Sequence, residues 1–391
     1  MEKNKKKIIC FVILSRANYS SIKSVMLEVK KSKHLEFKLI VGASALIDKY
    51  GSVSDFIERE GFKIDYKINN LIEDNKTTGM VKTTGMGMVE VATIFEKINP
   101  NIVFTVGDRY ETISTAIAAA YMNITVAHTM GGEVSGTIDE SIRHAVTKLS
   151  HIHFVSNKDA FKRVVKLGED KKKVFNVGCP RIDIVKKILK GKKYLEAIKN
   201  LNKEGVGAKI DPKDNFIILS YHPVTTELNQ NEIYITKILK VLKDIQYKKI
   251  ILWPNSDAGS EMISKVVRQF REKKLLENTR FIKNVSIETY VNLLNKCKCL
   301  VGNSSSAIRE GAYIGVPSVN IGSRQKNRLR GKNIIDSGYE YKELMKKIMI
   351  QSSKKHFKSE KIYGDGNSGK KIIQIIKKLG KIKKLKMFLK K

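Results

Sequence analysis

No stretch of this chain approaches the run of about 20 apolar residues that a membrane-spanning helix requires, so the sequence predicts a soluble protein. The opening segment MEKNKKKIICFVILS has the basic and apolar regions of a signal peptide. No small-residue cleavage site follows it, and it is expected to form a first buried strand. Cysteine is scarce as well. Cys10, Cys179, Cys297 and Cys299 keep neither disulfide-framework nor zinc-ribbon spacing, which predicts reduced thiols in a cytoplasmic protein without a metal site. Aromatic residues are only 7% of the chain, and lysine is spread through nearly every helical stretch. A net charge of +35 could serve a nucleic-acid binder, but such a module would cluster its cations with stacking aromatics, so no nucleic-acid partner is expected. The charge reads instead as solvated helix faces and an affinity for anionic ligands. In the basic stretch KKIIQIIKKLGKIKKLKMFLKK from Lys370, an apolar stripe at helical spacing favours a terminal helix docked on the protein over one lying on a membrane. GDGNSGKK (364–371) falls short of a phosphate loop: Lys371 stands where Ser or Thr is needed and no strand leads in, so it reads as a turn.

What is present is a repeated alternation of short β-rich runs and helical stretches. KIICFVIL (7–14), EFKLIVGA (36–43), NIVFTVG (101–107) and ITVAH (124–128) make one series. NFIILSYHP (215–223), YKKIILWPN (247–255), KCLVGN (298–303) and VPSVNIG (316–322) make a second. This is the pattern of two doubly wound parallel sheets, and 391 residues suit two domains. The expected boundaries are 1–182 for a catalytic half, 183–362 for a nucleotide-binding half, and 363–391 for a basic helix returning to the first half. Ligands in open α/β sheets bind beyond the carboxyl ends of strands. SRANYS, GDRYE, SYHP, WPNSDAGS and GNSSS each follow a strand in this way, so the two halves are expected to face a central cleft. The doublet TTGM…TTGM at 77–86 reads as a glycine loop at the mouth of that cleft or as a chance duplication.

Residues 128–153, HTMGGEVSGTIDESIRHAVTKLSHIH, concentrate three glycines, three carboxylates and several histidines. Glycines permit sharp bends or close approach, while acids and imidazoles move protons near neutral pH. In the second half, Ser304, Ser305 and Ser306 follow a strand where free backbone N–H groups and hydroxyls favour phosphate. Glu310 fits a ribose diol, and His222 and Arg324 add donors for a diphosphate. A nucleoside diphosphate fits this set best.

Seven ordered motifs carry a resemblance over nearly the whole chain: SRANYS (15–20), GDRYE (107–111), GGEVSGTIDESIRHAVTKLSHIHF (131–154), VGCPRID (177–183), SYHPVT (220–225), PNSDAGS (254–260) and GNSSSAIREGAYIGVPSVNIGSRQ (302–325), with YGDG (363–366) closing the series. In these the chain resembles the UDP-N-acetylglucosamine 2-epimerases, particularly the hydrolysing branch that supplies N-acetylmannosamine for sialic-acid-type sugars. The resemblance implies two Rossmann-like domains in a GT-B-like arrangement, a UDP-sugar substrate, and neither NAD nor a catalytic metal. A homodimer is the default assembly. The resemblance assigns nucleotide binding to Arg16, Ser20, His222, Asn255, Ser304, Ser305, Glu310 and Arg324. For the reaction it implies the carboxylates Asp108 and Asp139, with Arg109, Arg143, His151 and His153 shaping the pocket.

Three positions depart from the family pattern. Met130 stands where a catalytic glutamate is usual just before the two glycines, GASAL (42–46) lacks a histidine common in hydrolysing members, and Asn18 replaces an aspartate. Glu133 and Glu111 are the nearby acids able to stand in. The leading expectation is hydrolysis of UDP-N-acetylglucosamine to N-acetylmannosamine and UDP through a 2-acetamidoglycal. The alternatives are a 2-epimerase acting on another nucleotide sugar or without hydrolysis, and an inactive nucleotide-sugar-binding protein.

Overall fold

The computed structural model describes residues 6–73, 76–254, 257–283, 285–380 and 382. The chain forms two compact α/β units. The first comprises residues up to Glu133, Asp139–Ile184 and the chain from Tyr363; the second comprises Val134–Ile138 and Val185–Ile362.

The first unit is built on β1 (Lys7–Ile13), β2 (Leu35–Gly42), β3 (Tyr66–Ile68), β4 (Ile102–Val106), β5 (Thr125–Thr129), β6 (Ile152–Val155) and β7 (Val174–Asn176). They lie in the order β3-β2-β1-β4-β5-β6-β7, every pairing parallel. β4, β5 and β6 are buried along their full length, as expected where helices cover both faces of a parallel sheet. Phe11 of β1, Phe104 of β4, Phe154 of β6 and Phe175 of β7 line up on one face, with successive ring centroids 5.0, 6.1 and 5.9 Å apart.

The second unit holds β8 (Val206–Gly207), β9 (Phe216–Ser220), β10 (Lys248–Leu252), β11 (Thr279–Ile282), β12 (Cys299–Gly302), β13 (Ser318–Ile321) and β14 (Ile334–Ser337). Their order is β14-β13-β12-β9-β10-β11-β8, parallel except for the two-residue edge strand β8. Both sheets are therefore doubly wound and Rossmann-like, as the alternation of elements predicts. The strands with no counterpart in the sequence reading, such as β3, β7, β8 and β14, are short and lie towards sheet edges, where little hydrophobic pattern is needed.

Two local readings are settled by packing. The TTGM doublet is no loop: it lies within the 22-residue helix Thr77–Ile98. Glycine and threonine are weak helix formers, but tertiary contacts override that preference. A Cβ at Gly87 would stand 2.7 Å from Asn70 Nδ2 and 3.2 Å from Ser114 Oγ, so a larger residue would disturb this contact. GDGNSGKK is a turn into the helix Ser368–Lys378, whose Ile372, Ile373 and Ile376 enter the first unit's core beside Ile22 and Met26. The N–H groups of Ser368 and Gly369 that might have held a phosphate donate to the Asp183 carboxylate at 2.9 and 2.7 Å. Burial raises the Asp183 pKa, and those backbone donors partly oppose the rise. Residues 381 and 383–391, the distal part of this basic stretch, lie outside the described residues.

All four cysteines are free and buried. Burial pushes the Cys299 thiol up to about 12, and Cys297 also lies well above its ordinary value. Among the described residues, no helix is long and apolar enough to cross a membrane.

Candidate active site

In the first unit the polar residues cluster after β4 and β5. Gly107 turns the chain with φ of 71°, and Asp108 and Arg109 follow. Asp108 Oδ2 accepts a charge-assisted hydrogen bond from Arg143 Nη2, while Arg143 Nη1 donates to the Glu133 carbonyl at 2.6 Å. Arg143 is 1% exposed, so one buried guanidinium fork holds both the GDRYE loop and the end of the GGE loop. Its position follows from the helix Asp139–Leu149, which begins at Asp139 and buries Arg143, Val146 and Thr147. Arg109 Nε donates to Glu111 Oε1 at 2.7 Å. Glu111 is fully buried in that ion pair and positions Arg109. Of the two stand-in acids, it is therefore the less suited to proton transfer.

The glycines beside Met130 serve packing. A Cβ on Gly132, where φ is 74°, would lie 2.5 Å from both the Ala160 carbonyl oxygen and Val164 Cγ2. On Gly131 it would lie 2.8 Å from His128 Nδ1. The sequence reads these glycines as permitting a sharp bend or close approach, and in the structure they let the loop lie against the helix Lys158–Lys166 and His128. Gly132→Ala combines a left-handed backbone with a steric overlap and is expected to cost about 2–4 kcal/mol. Urea denaturation of the folded variant would measure it, and a loss below about 1 kcal/mol would show that the loop relaxes freely.

Met130 adopts φ of 64°, and its N–H donates to the Phe154 carbonyl at 3.0 Å. Its side chain is buried, with Cys179 Sγ 3.7 Å from Met130 Sδ. Met130 Cε also lies 3.5 Å from where a Gly107 Cβ would be. The place of the usual glutamate is thus filled by a buried thioether packed against Cys179 and close to Gly107. Asn18 has a clear reason. Its Nδ2 donates to the Val106 carbonyl at 3.1 Å while its Oδ1 accepts from the Leu14 N–H at 3.2 Å, and an aspartate could not make the first of these bonds. Arg16 opens the following helix, and Ser20 Oγ donates to the Ala17 carbonyl at 3.3 Å.

The histidine pair is placed apart from this cluster. His151 precedes β6, at the opposite end of the sheet from Asp108, and its Nδ1 accepts the Val126 N–H at 3.1 Å. His153 lies within β6 with its Nε2 3.0 Å from Glu169 Oε2, and Lys148 Nζ lies 2.7 Å from the other Glu169 oxygen. These contacts fix sheet and helix positions. His128 was missed as an organising residue: it is fully buried, and its Nε2 lies 2.9 Å from the Gly107 carbonyl. Its place at the end of a strand run was the available signal. His144, 3.6 Å from Glu140, has its pKa lowered by burial and by the neighbouring Arg143.

In the second unit, a polar network forms beyond the ends of β9, β12 and β13. The N–H of His222 donates to Asn303 Oδ1 and Asn303 Nδ2 donates to the His222 carbonyl, both at 2.8 Å. The Asn303 carbonyl accepts from Arg324 Nη1 at 3.3 Å and from Gln325 Nε2 at 2.9 Å. Asn303 thus ties His222 to Arg324. The GNSSS motif contained it, but only the fold shows that it clamps a neighbouring strand end. Ser304 and Ser305 lie in an irregular turn, and the following helix starts only at Glu310, which is buried. Arg309 Nη1 donates to Ser305 Oγ at 3.3 Å. Arg324 Nη2 lies 3.9 Å from Asp257 Oδ2, and the Gly136 N–H donates to the Arg324 carbonyl at 3.1 Å. Asn255 lies outside the described residues.

The family model described as UDP-N-acetylglucosamine 2-epimerase matches residues 27–377. The chain belongs to that family and is an enzyme. It is 30% identical over 369 residues to the UDP-N,N'-diacetylbacillosamine 2-epimerase (hydrolyzing) of Legionella pneumophila, covering 94% of this chain and 95% of that one. It is 31% identical over 363 residues to the UDP-N-acetylglucosamine 2-epimerase of Neisseria meningitidis serogroup B, covering 93% and 92%. The fold matches the crystal structure of a Neisseria meningitidis UDP-GlcNAc 2-epimerase bound to UDP-GlcNAc. The TM-score is 0.79 at 18% identity, with 95% of this chain and 100% of that chain covered.

Proposed function

We propose that this enzyme is a hydrolysing UDP-N-acetylglucosamine 2-epimerase that releases N-acetylmannosamine and UDP. The observation that carries the reading is the pairing of Asp108 with the buried fork of Arg143 beside the GGE loop. The guanidinium fork fixes the direction of the Asp108 carboxylate, and a fixed carboxylate is what removal of the C2 proton requires. As that proton passes to Asp108, the C2–H electron pair forms the C1=C2 bond and the C1–O bond breaks, with its electrons leaving on UDP. The product of this step is a 2-acetamidoglycal. Water then adds its oxygen to C1, and a proton returns to the opposite face of C2, giving the manno configuration.

Asp139 is the second carboxylate of the proposal, and Arg109, Arg143 and Glu133 shape the sugar site. Arg16, Ser20, His222, Asn255, Ser304, Ser305, Glu310 and Arg324 are proposed to hold the nucleotide, with the cations opposing the diphosphate charge. His151 and His153 serve the sheet in this proposal, on account of the partners described above. No cofactor or metal enters the chemistry.

A second reading has the same elimination and hydration acting on UDP-N,N'-diacetylbacillosamine, the sugar named for the Legionella relative. The 30% identity to that relative over 94% of this chain supports it.

Proton NMR in deuterated water with each nucleotide sugar would test both readings. The first predicts free N-acetylmannosamine carrying deuterium at C2. Turnover of the diacetamido sugar alone would replace it with the second. An epimerised sugar still joined to UDP would overturn hydrolysis in either form.

A further inference from the structure

In the second unit a carboxylate stands beside the residues proposed to hold an anion. Glu227 Oε1 accepts from Ser323 Oγ at 2.6 Å, and Ser323 immediately precedes Arg324. A carboxylate so close opposes a diphosphate by its own charge, so its place calls for a reason. The Arg324 side chain is itself loosely tethered. Its Nη1 lies 3.3 Å from the Asn303 carbonyl and its Nη2 3.9 Å from Asp257 Oδ2. Contacts of that length fix a guanidinium weakly, and its direction depends on the backbone that carries it.

That backbone is gripped from two sides. Gly322, with φ of 74°, lies under Tyr339, where an added Cβ would overlap the phenol oxygen. Tyr339 stacks on Tyr234 with ring centroids 3.8 Å apart, and its hydroxyl lies 3.0 Å from that of Tyr221, the residue before His222. Glu227 grips the other side from a fixed loop. Its N–H donates to the Val224 carbonyl at 3.0 Å. The fully buried Asn231 accepts from the Val224 N–H at 3.0 Å and donates to the Val224 carbonyl at 3.3 Å. Glu227 thus holds the turn and does not follow it. We propose that Glu227 is a positioning residue: by accepting the Ser323 hydroxyl it fixes the turn at 322–324, and with it the direction in which Arg324 meets the diphosphate of the nucleotide sugar. The inference rests on the reading above that Arg324 holds that diphosphate.

Titration calorimetry of the full-length protein with UDP tests the inference. Glu227→Ala and Ser323→Ala are each expected to raise the UDP Kd about tenfold. The double variant should lose no more, because both substitutions remove the same bond. Glu227→Gln keeps an oxygen that can accept from Ser323, so it should bind UDP within about twofold of wild type. Uridine carries no phosphate. In a ligand-observed NMR titration it should bind every variant within about twofold of wild type, a selectivity that general destabilisation cannot produce. Additive losses in the double variant, or an equal loss for uridine, would overturn the inference. Arg324→Ala keeps the two levels apart. If it weakens UDP while Glu227→Ala and Ser323→Ala bind as the wild type does, this inference alone fails. If Arg324→Ala itself leaves UDP binding unchanged, the assignment of Arg324 to the diphosphate fails and takes the inference with it.

Discussion

Asp108→Asn is expected to lower kcat by about 10³- to 10⁴-fold with KM within a few-fold of wild type. The amide keeps the shape of the carboxylate, and its oxygen can still accept from Arg143, so the loop after β4 should hold its place. What is lost is the proton acceptor. Two nearby positions do not replace it: Glu111 is engaged by Arg109 at 2.7 Å, and Met130 carries a thioether. The check is steady-state kinetics of UDP release together with deuterium incorporation at C2 of the released sugar. A loss of less than tenfold would remove Asp108 from the role of base and direct attention to Asp139 or Glu133.

Arg143→Ala is expected to reduce both stability and activity. The substitution leaves the Asp108 carboxylate and the Glu133 carbonyl without the fork that joins them. Breaking a buried ion pair from one side typically costs about 3–5 kcal/mol. The Asp108 side chain is 25% exposed and partly relieved by solvent, so about 3 kcal/mol is expected here. Without the fork, Asp108 also loses its orientation, and kcat/KM should fall by about 10²-fold or more. Arg143→Lys separates charge from geometry. An ammonium can pair with Asp108 but cannot span to the Glu133 carbonyl in the same fork, so it should recover part of the stability and little of the rate. Chemical denaturation and kcat/KM measured on both variants decide the matter. Wild-type behaviour of Arg143→Lys would show that charge alone suffices.

The amino-acid sequence alone determined the two doubly wound halves, because fully buried parallel strands need continuous apolar runs and their crossover helices need amphipathic ones. It also located the polar segments after β4, β5, β9, β12 and β13, since turns at strand ends carry glycine and hydrogen-bonding residues that stand out against those runs. The seven ordered motifs carried the family. Contacts distant in sequence were decided by the tertiary structure alone. Arg143 reaches Asp108 across 35 positions and Asn303 clamps His222 across 81. Such partners become neighbours only when parallel strands align, and no local spacing encodes that alignment. The same holds for Gly132, whose glycine is required by Ala160 and Val164, and for the TTGM doublet, which packing draws into a helix against its own propensity. His151 and His153 show the converse: composition placed them in a catalytic segment, and the register of β5 and β6 set one at the far end of the sheet and the other against Glu169.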